Sequence, residues 1–405
     1  MASKGNIAIF QAYHTLQVHT LNVVYMLRRA GYEVDVFLFR CGTHLHDVDP
    51  YDQHIHVLSG EKVFWNQQRN IIKKLFSAFI FFVLDPFRGS KALLSQEVLN
   101  WTEKQITERN FICFIGIEKL GLVWSGLLGI KYKIPFLYYS LELYPNSYLR
   151  FISPVRWLRF LSIRRNESRF HRLASAAIVQ DERRGIELDR MNDVKGVPRI
   201  YLPVSVIGPP RKEKSNYLKN HLGITRDKVI VLQFGGIDKE RRSVELTIAS
   251  QEFETDVVMV FHGLAEDPTI LDKIRKVDIK KKVVISTDLV PSERIDDLVC
   301  SADIGLCFYS DRSVNEITSG YSSEKLARYL RAGIPVIASD YHSFKQSVQD
   351  TGVGICIRDF SELAVAVQKI KKDYGKYQDR AFETYDKYFR FEIQFEKVVK
   401  YIQEL

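Results

Sequence analysis

The sequence predicts an α/β chain made of two doubly wound domains, each with a parallel sheet. Three observations predict it. Apolar runs of strand length alternate with segments of helical periodicity along most of the chain. The alternation occurs twice, on either side of the Pro- and charge-rich stretch "IYLPVSVIGPPRKEKSN". The length of 405 residues accommodates two or three domains.

The first half opens with the strand "NIAIF", the helix "HTLNVVYMLRRAG" closed by Gly31, and the strand "YEVDVFLF", which together form a βαβ unit. "FICFIGI" and "IPFLYYS" read as further strands, with "GLVWSGLLGIKY" as the helix between them. "RFHRLASAAIVQDERRGIEL" adds a helix and the strand "AAIVQ". The second half repeats the pattern: strand "KVIVLQFGG" ending in a glycine pair, strands "DVVMVFHG" and "KKVVIST", helix "PSERIDDLVCSA", then "DIGLCFYS", "PVIASD" and "GVGICI". "FRFEIQFEKVVKYIQEL" is a last amphipathic helix. The expected division is 1–206, 207–385 and a terminal helix over 386–405. Ligands in such folds bind beyond the carboxyl ends of the strands, and here also between the domains.

Hydrophobic content of 46% and charged content of 26% fit a globular chain. The net charge of 58 − 49 = +9 implies anionic company: nucleic acid, anionic lipid or phosphorylated substrates. The cysteines Cys41, Cys113, Cys300, Cys307 and Cys356 form no CxxC pair and read as reduced core residues of a cytosolic protein. "MASKGNIAIFQAY" runs straight into a strand, so no secretory signal is expected. The longest apolar run, Leu75 to Leu84, is about half the ~20 residues of a transmembrane helix. It reads as a buried helix or as one facing a membrane surface.

The stretch "SGYSSEKLARYLRAGIPVIASD", Ser319 to Asp340, carries the clearest chemistry. Ser322 and Ser323 are good helix N-caps, Gly333 suits the helix end, and Pro335 stops it. A helix start at the mouth of a parallel sheet binds anions, because its first N–H groups lack partners. Gly235 and Gly236, just after a strand, either let backbone approach a diphosphate or simply make a tight turn.

These motifs resemble the GT-B glycosyltransferases, particularly the retaining family 4 group. "FGGIDKERRSVELTIAS" resembles the family's Gly-Gly loop, base and helix. "VFHG", "TDLVPSERIDDLVCSADIGLCFYS" and "SSEKLARYLRAGIPVIASD" follow in family order. "YYSLELYP" resembles its "Tyr-Asp-Ala-His-Glu-Leu-Tyr-Pro" segment, with Leu141 in place of the His. The resemblance implies two Rossmann-like domains facing across a cleft, with a C-terminal helix crossing back to the first. It also implies transfer of a sugar from a nucleoside-diphosphate donor to a hydroxyl acceptor, without cofactor or metal. The first domain would hold the acceptor and the second the nucleotide-sugar. A catalytically degenerate binding or scaffold protein and a sugar-nucleotide epimerase are the alternatives. A nicotinamide dehydrogenase is not expected, because no G-x-G-x-x-G opens either half.

The resemblance makes Gly235, Gly236, Arg241, Leu289, Ser322, Ser323, Glu324 and Lys325 donor-binding candidates, with Lys325 at the rim. Arg241 aligns with the phosphate-binding base and would offset charge on the leaving diphosphate; Arg242 is the fallback. Glu316 and Glu324 have the spacing of the family's Glu pair. Counted back from Gly333, however, those acids fall on Gly320 and Arg328. Glu324 therefore either reaches the ribose from one turn earlier or only pairs with Arg328. Glu142, Arg241 and Glu316 are the catalytic candidates. His14 and Glu118 are acceptor-side candidates.

Two segments remain. "HLHDVDPYDQHIHV", with His44, His46, His54, His56, Asp47 and Asp49, is either a metal site or a pair of strand ends with alternating exposed side chains; no metal is expected. "YLRFISPVRWLRFLSIRRNESRFHRL" interleaves Arg with aromatic residues. It suits an anionic membrane surface or an amphipathic helix packed on the core, whereas nucleic acid is not expected. A lipid-linked or glycan acceptor, held at the inner face of the cell membrane by a cytoplasmic peripheral protein, is the expectation that follows.

Overall fold

The computed structural model describes residues 3–12, 18–40, 52–59, 94, 96–144 and 154–405. Its contacts divide the chain into two units, Met1–Leu202 with Gln394–Leu405, and Pro203–Ile393. The change of unit falls a few residues before the expected 206/207 boundary. The return falls later than 386, because Phe391–Ile393 begin the last helix within the second unit. His14, His44, His46, Asp47, Asp49, Cys41 and the apolar run 75–84 lie outside the described residues.

In the first unit the strands are β1 (Asn6–Gln11), β2 (Glu33–Arg40), β3 (Ile55–Ser59), β4 (Phe111–Ile117), β5 (Phe136–Tyr139), β6 (Ala176–Val179) and β7 (Arg199–Tyr201). They form a seven-stranded sheet in the order β3-β2-β1-β4-β5-β6-β7, with every pairing parallel. β3, β7 and the helix Gln96–Ile106 were not among the expected elements. Four of the core strands read as near-continuous apolar runs because helices cover both faces of a parallel sheet. The chain tail completes this unit: Phe395, Val398 and Ile402 are buried, and the Tyr401 hydroxyl donates to Ser175 O at 2.5 Å.

The second unit holds β8 (Val229–Phe234), β9 (Val257–His262), β10 (Val283–Ser286), β11 (Ile304–Cys307), β12 (Val336–Ser339) and β13 (Gly354–Ile357). Their order is β10-β9-β8-β11-β12-β13, again all parallel. Alternation along β8 builds two cores: Ile230 and Leu232 pack with the helix Glu324–Arg331, and Val231 packs with Leu246, Val367 and Ile370 on the other face. The strand order turns between β1 and β4 in the first sheet and between β8 and β11 in the second. Those are the places where such sheets open a crevice beyond their strand ends.

The Arg-rich segment forms the helix Pro154–Leu173. Its described portion is largely a packing helix. Phe170, His171, Asn166 and Glu167 are buried, and Arg164 donates to Asn192 and pairs with Glu167. Arg165, Arg169 and Arg172 remain exposed. His54 and His56 both face Asp35, His56 at 2.8 Å, and Arg109 pairs with the same buried carboxylate at 3.0 Å. This is an ion-pair network between β2, β3 and the turn before β4, and its partners outweigh burial to hold the Asp35 carboxyl below the usual range. Among the described residues no group of three or more His, Cys, Asp or Glu could hold a metal ion, and no helix is long and apolar enough to cross a membrane.

Candidate functional site

In the second unit, β8 ends in Gly235 and Gly236, and β9 ends in His262 and Gly263. Gly263 has φ +148, and a Cβ there would lie 1.7 Å from the Gly235 carbonyl oxygen, so only glycine lets these two strand ends meet. His262 is held beneath by a 2.8 Å hydrogen bond with Ser286 and by stacking on Phe234. Burial lowers its imidazole pKa.

Above Gly236 lies Arg241. A Cβ on Gly236 would stand 3.3 Å from its Cζ. Asp238 fixes Arg241 twice, accepting from its backbone N at 2.8 Å and from Nη1 at 2.5 Å. Arg242 follows in the left-handed region, φ +60, at the start of the helix Ser243–Ser250, and pairs with Glu245. A non-glycine residue held there stores strain, a common feature of ligand-binding turns.

The helix Glu324–Arg331 supplies the rest. Ser323 is its N-cap: its Oγ accepts from Leu326 N at 3.3 Å and bonds the Tyr309 hydroxyl at 2.9 Å. Ser322 instead closes the preceding short turn and donates to Thr318 O. Lys325 is buried rather than at the rim, with 8% of its surface exposed. Its Nζ has no hydrogen-bond partner among the described residues and lies 5.3 Å above the Tyr309 ring. Gly235 brings its backbone close to the same side chain. Burial lowers the Lys325 pKa to about 8. Two cations and two glycines therefore converge on the carboxyl end of β8.

The other expected donor residues are placed differently. Glu324 accepts from Arg328 Nε at 2.7 Å, and Arg328 also pairs with Asp296 at 2.8 Å. Glu316 closes a capping box on Ser313: its Oε2 accepts from Ser310 Oγ, Ser313 N and Ser313 Oγ. Leu289 is 83% exposed. A cleft of about 230 Å³ opens at the carboxyl ends of β11, β12 and β13 beside Arg242, Tyr309, Asp340, Tyr341, Arg358 and Phe360. Sequence reasoning had left it unseen.

In the first unit, the acids at the end of β4 and β5 exchange their expected prominence. Glu142 is exposed. Glu118 is buried, with φ +59, as the first residue of the helix Glu118–Tyr132. Its Oε1 accepts from Leu141 N at 2.8 Å and Glu142 N at 2.9 Å, while Oε2 has no partner among the described residues. Burial, reinforced by the Glu142 charge, raises the Glu118 carboxyl to about 7. Next to it, Lys119 places Nζ over the Tyr144 ring.

Residues 264–388 match the family described as Glucosyltransferase 3-like, C-terminal domain. The matched residues lie within the second unit. The whole chain is similar in fold to Anabaena HepE in complex with UDP and glucose, at 12% identity, TM-score 0.69, covering 99% of this chain and 100% of that one. It is similar to sucrose-phosphate synthase from Thermosynechococcus elongatus at 15% identity and TM-score 0.65, covering 99% of each. It is also similar to WaaG, a glycosyltransferase involved in lipopolysaccharide biosynthesis, at 13% identity and TM-score 0.61, covering 98% of this chain and 99% of that one. These likenesses establish the GT-B fold of two Rossmann-like domains. No curated protein sequence matches.

Proposed function

We propose that the protein is a retaining glycosyltransferase that takes a sugar from a UDP-sugar and passes it to a hydroxyl acceptor. The observation that carries this is the buried, unpartnered Nζ of Lys325 beside Gly235, with Arg241 fixed over Gly236. A buried cation without a counter-ion is unfavourable until an anion arrives, and a strand-end glycine pair admits the backbone approach a diphosphate needs. The complexes of HepE with UDP-sugar components support uridine as the base. Lys325 and Arg241 would stabilise the charge that grows on the leaving UDP, the task a divalent metal performs in other transferases.

On the acceptor side the reading favours Glu118 over Glu142. A carboxyl titrating near neutral pH can hold or release the acceptor's proton, whereas the exposed Glu142 contributes charge nearby. His14 remains a candidate on the same side. Exposed Arg165, Arg169 and Arg172 support peripheral contact with an anionic membrane on the cytoplasmic face, which suits a lipid-linked or glycan acceptor. Thermal unfolding with UDP, GDP, ADP and uridine tests the donor assignment: UDP at 100 times its Kd should add about 2.7 kcal/mol, and uridine little. UDP release from a UDP-sugar panel, with the anomeric configuration of the product read by NMR, tests the transfer. Absence of stabilisation by every nucleoside diphosphate would overturn it.

A further inference from the structure

We propose that a diphosphate entering the second unit charges Lys325 by drawing one proton from solution, so that donor affinity is proton-linked and falls on the alkaline side of neutrality. The inference rests on the donor site proposed above and adds a regulatory property to it.

The surroundings of Lys325 explain why its proton is negotiable. On its own helix, Glu324 is committed to Arg328 and offers no counter-ion. From β11 come Cys307 and Tyr309. Burial pushes the Cys307 thiol up to about 12 and the Tyr309 hydroxyl higher still, so both are neutral at any working pH. From the loop after β8 comes Arg241, a like charge, whose partner Asp238 is already bound to it. Tyr329, on the next turn, spends its hydroxyl on Leu232 O. The helix N-terminus adds positive potential of its own. Burial is the largest influence on the ammonium and opposes it, as does Arg241; Asp238, Cys307 and the face of the Tyr309 ring offset this only in part. A lysine can answer by shedding its proton, which an arginine cannot.

Diphosphate reverses that balance. Its charges lie against Gly235 and Gly236, within reach of Nζ, and an ammonium becomes the favoured form. The balance is simple: neutral amine, one proton from buffer and the UDP anion give a bound ammonium–diphosphate pair. At pH 8, where the empty protein is half-neutral at Lys325, binding should take up about half a proton. From pH 7 to 9 the Kd should rise about tenfold in all, about fivefold of it above pH 8.

Calorimetry with UDP at pH 8.0 and 8.5, where UDP itself is fully ionised, reads this directly. The heat in buffers of different ionisation enthalpy, such as HEPES and Tris, gives the protons taken up. Uridine serves as the control and should show none. Lys325→Arg should bind UDP with no uptake and a flat pH profile, and Lys325→Met should bind weakly with no uptake. UDP binding to the unaltered protein with no proton uptake, or with a Kd constant from pH 7 to 9, overturns the linkage alone. Uptake that persists in Lys325→Arg or Lys325→Met assigns the proton elsewhere and also overturns it. Folded protein that binds neither UDP nor a UDP-sugar at any pH removes the donor site and the linkage together.

Discussion

In both units a helix beyond the strand that crosses the turn in strand order carries a buried ionisable residue in its first turn, an acid in one and a base in the other. The helix Glu118–Tyr132 follows β4 and opens with Glu118; the helix Glu324–Arg331 lies between β11 and β12, and Lys325 is its second residue. Both side chains are desolvated, and each keeps a polar atom without a partner among the described residues. The helix dipole favours an acid at that place and disfavours a base. The first unit nevertheless raises its acid to about 7 and the second lowers its base to about 8. Burial therefore outweighs the dipole at Glu118, and both act against charge at Lys325. The same topology thus yields a proton-holding acid in one unit and an anion trap in the other. What differs is the residue and its place: Glu118 is the first residue of its helix, with φ +59, and Lys325 the second of its own.

The comparison assumes that the two strand turns are equally tight, and glycine substitutions test this with the largest expected effect. A Cβ at Gly263 would lie 1.7 Å from Gly235 O, and one at Gly121 would lie 2.2 Å from Phe10 O. Gly263→Ala and Gly121→Ala should each lose more than ~3 kcal/mol by urea unfolding. Loss in one unit only would break the parallel.

Next comes Lys325→Met. The folded protein holds its lysine proton less tightly than the unfolded chain, 8 against 10.5. Below pH 8 the buried ammonium therefore costs its full amount, and the cost fades as pH rises from 8 towards 10.5. The substitution should stabilise the nucleotide-free protein by on the order of 2–3 kcal/mol at pH 7, with the gain disappearing near pH 10. A destabilised variant at pH 7 would show that the lysine is satisfied after all.

Glu118 gives the mirror case. Its folded pKa is about 7 against 4.5, so the folded state binds more protons between those values. Its contribution to stability falls as pH rises through that window and is level above it. Glu118→Gln keeps an oxygen for Leu141 N and Glu142 N, so it should flatten this component and stabilise the protein by about 1–2 kcal/mol at pH 8. An unchanged stability profile from pH 5 to 8 would remove the acid from the comparison.

The smallest effect belongs to Glu324→Gln. Its carboxylate is about a third exposed in the pair with Arg328, and stability should move by less than ~0.5 kcal/mol. Unchanged UDP affinity, measured alongside, would leave the ribose to other contacts.

The sequence made the long features legible. β1, β2, β4, β5 and β6, and all six strands of the second unit, are apolar runs bounded by turn residues. β7 is only three residues long, and β3 is five residues with His56 inside and His54 just before it, so neither shows a long apolar run. At the site, Gly235, Gly236, Arg241, Ser323 and Lys325 could be grouped from motif order, because each sits at an element boundary. The burial of Lys325 could not, since Tyr309 and Arg241 reach it from other elements. The burial of Glu118 was not legible for a similar reason: a left-handed glutamate at a strand end is set by tertiary fit and has no local pattern. The capping box at Glu316 was readable as Ser-x-x-Glu, but the seven-residue spacing to Glu324 drew attention away from it.

The return of Gln394–Leu405 to the first unit orders the birth of the molecule. Pro203–Ile393 is one unbroken stretch, so a growing chain contains everything its sheet and helices require before the tail exists. The first unit, although made earlier, waits for Phe395, Val398, Ile402 and the Tyr401 hydroxyl to cover it. A chain stopped at Ile393 would therefore leave the older half with its apolar seam open and the younger half complete. Chaperone demand during synthesis falls on the part made first.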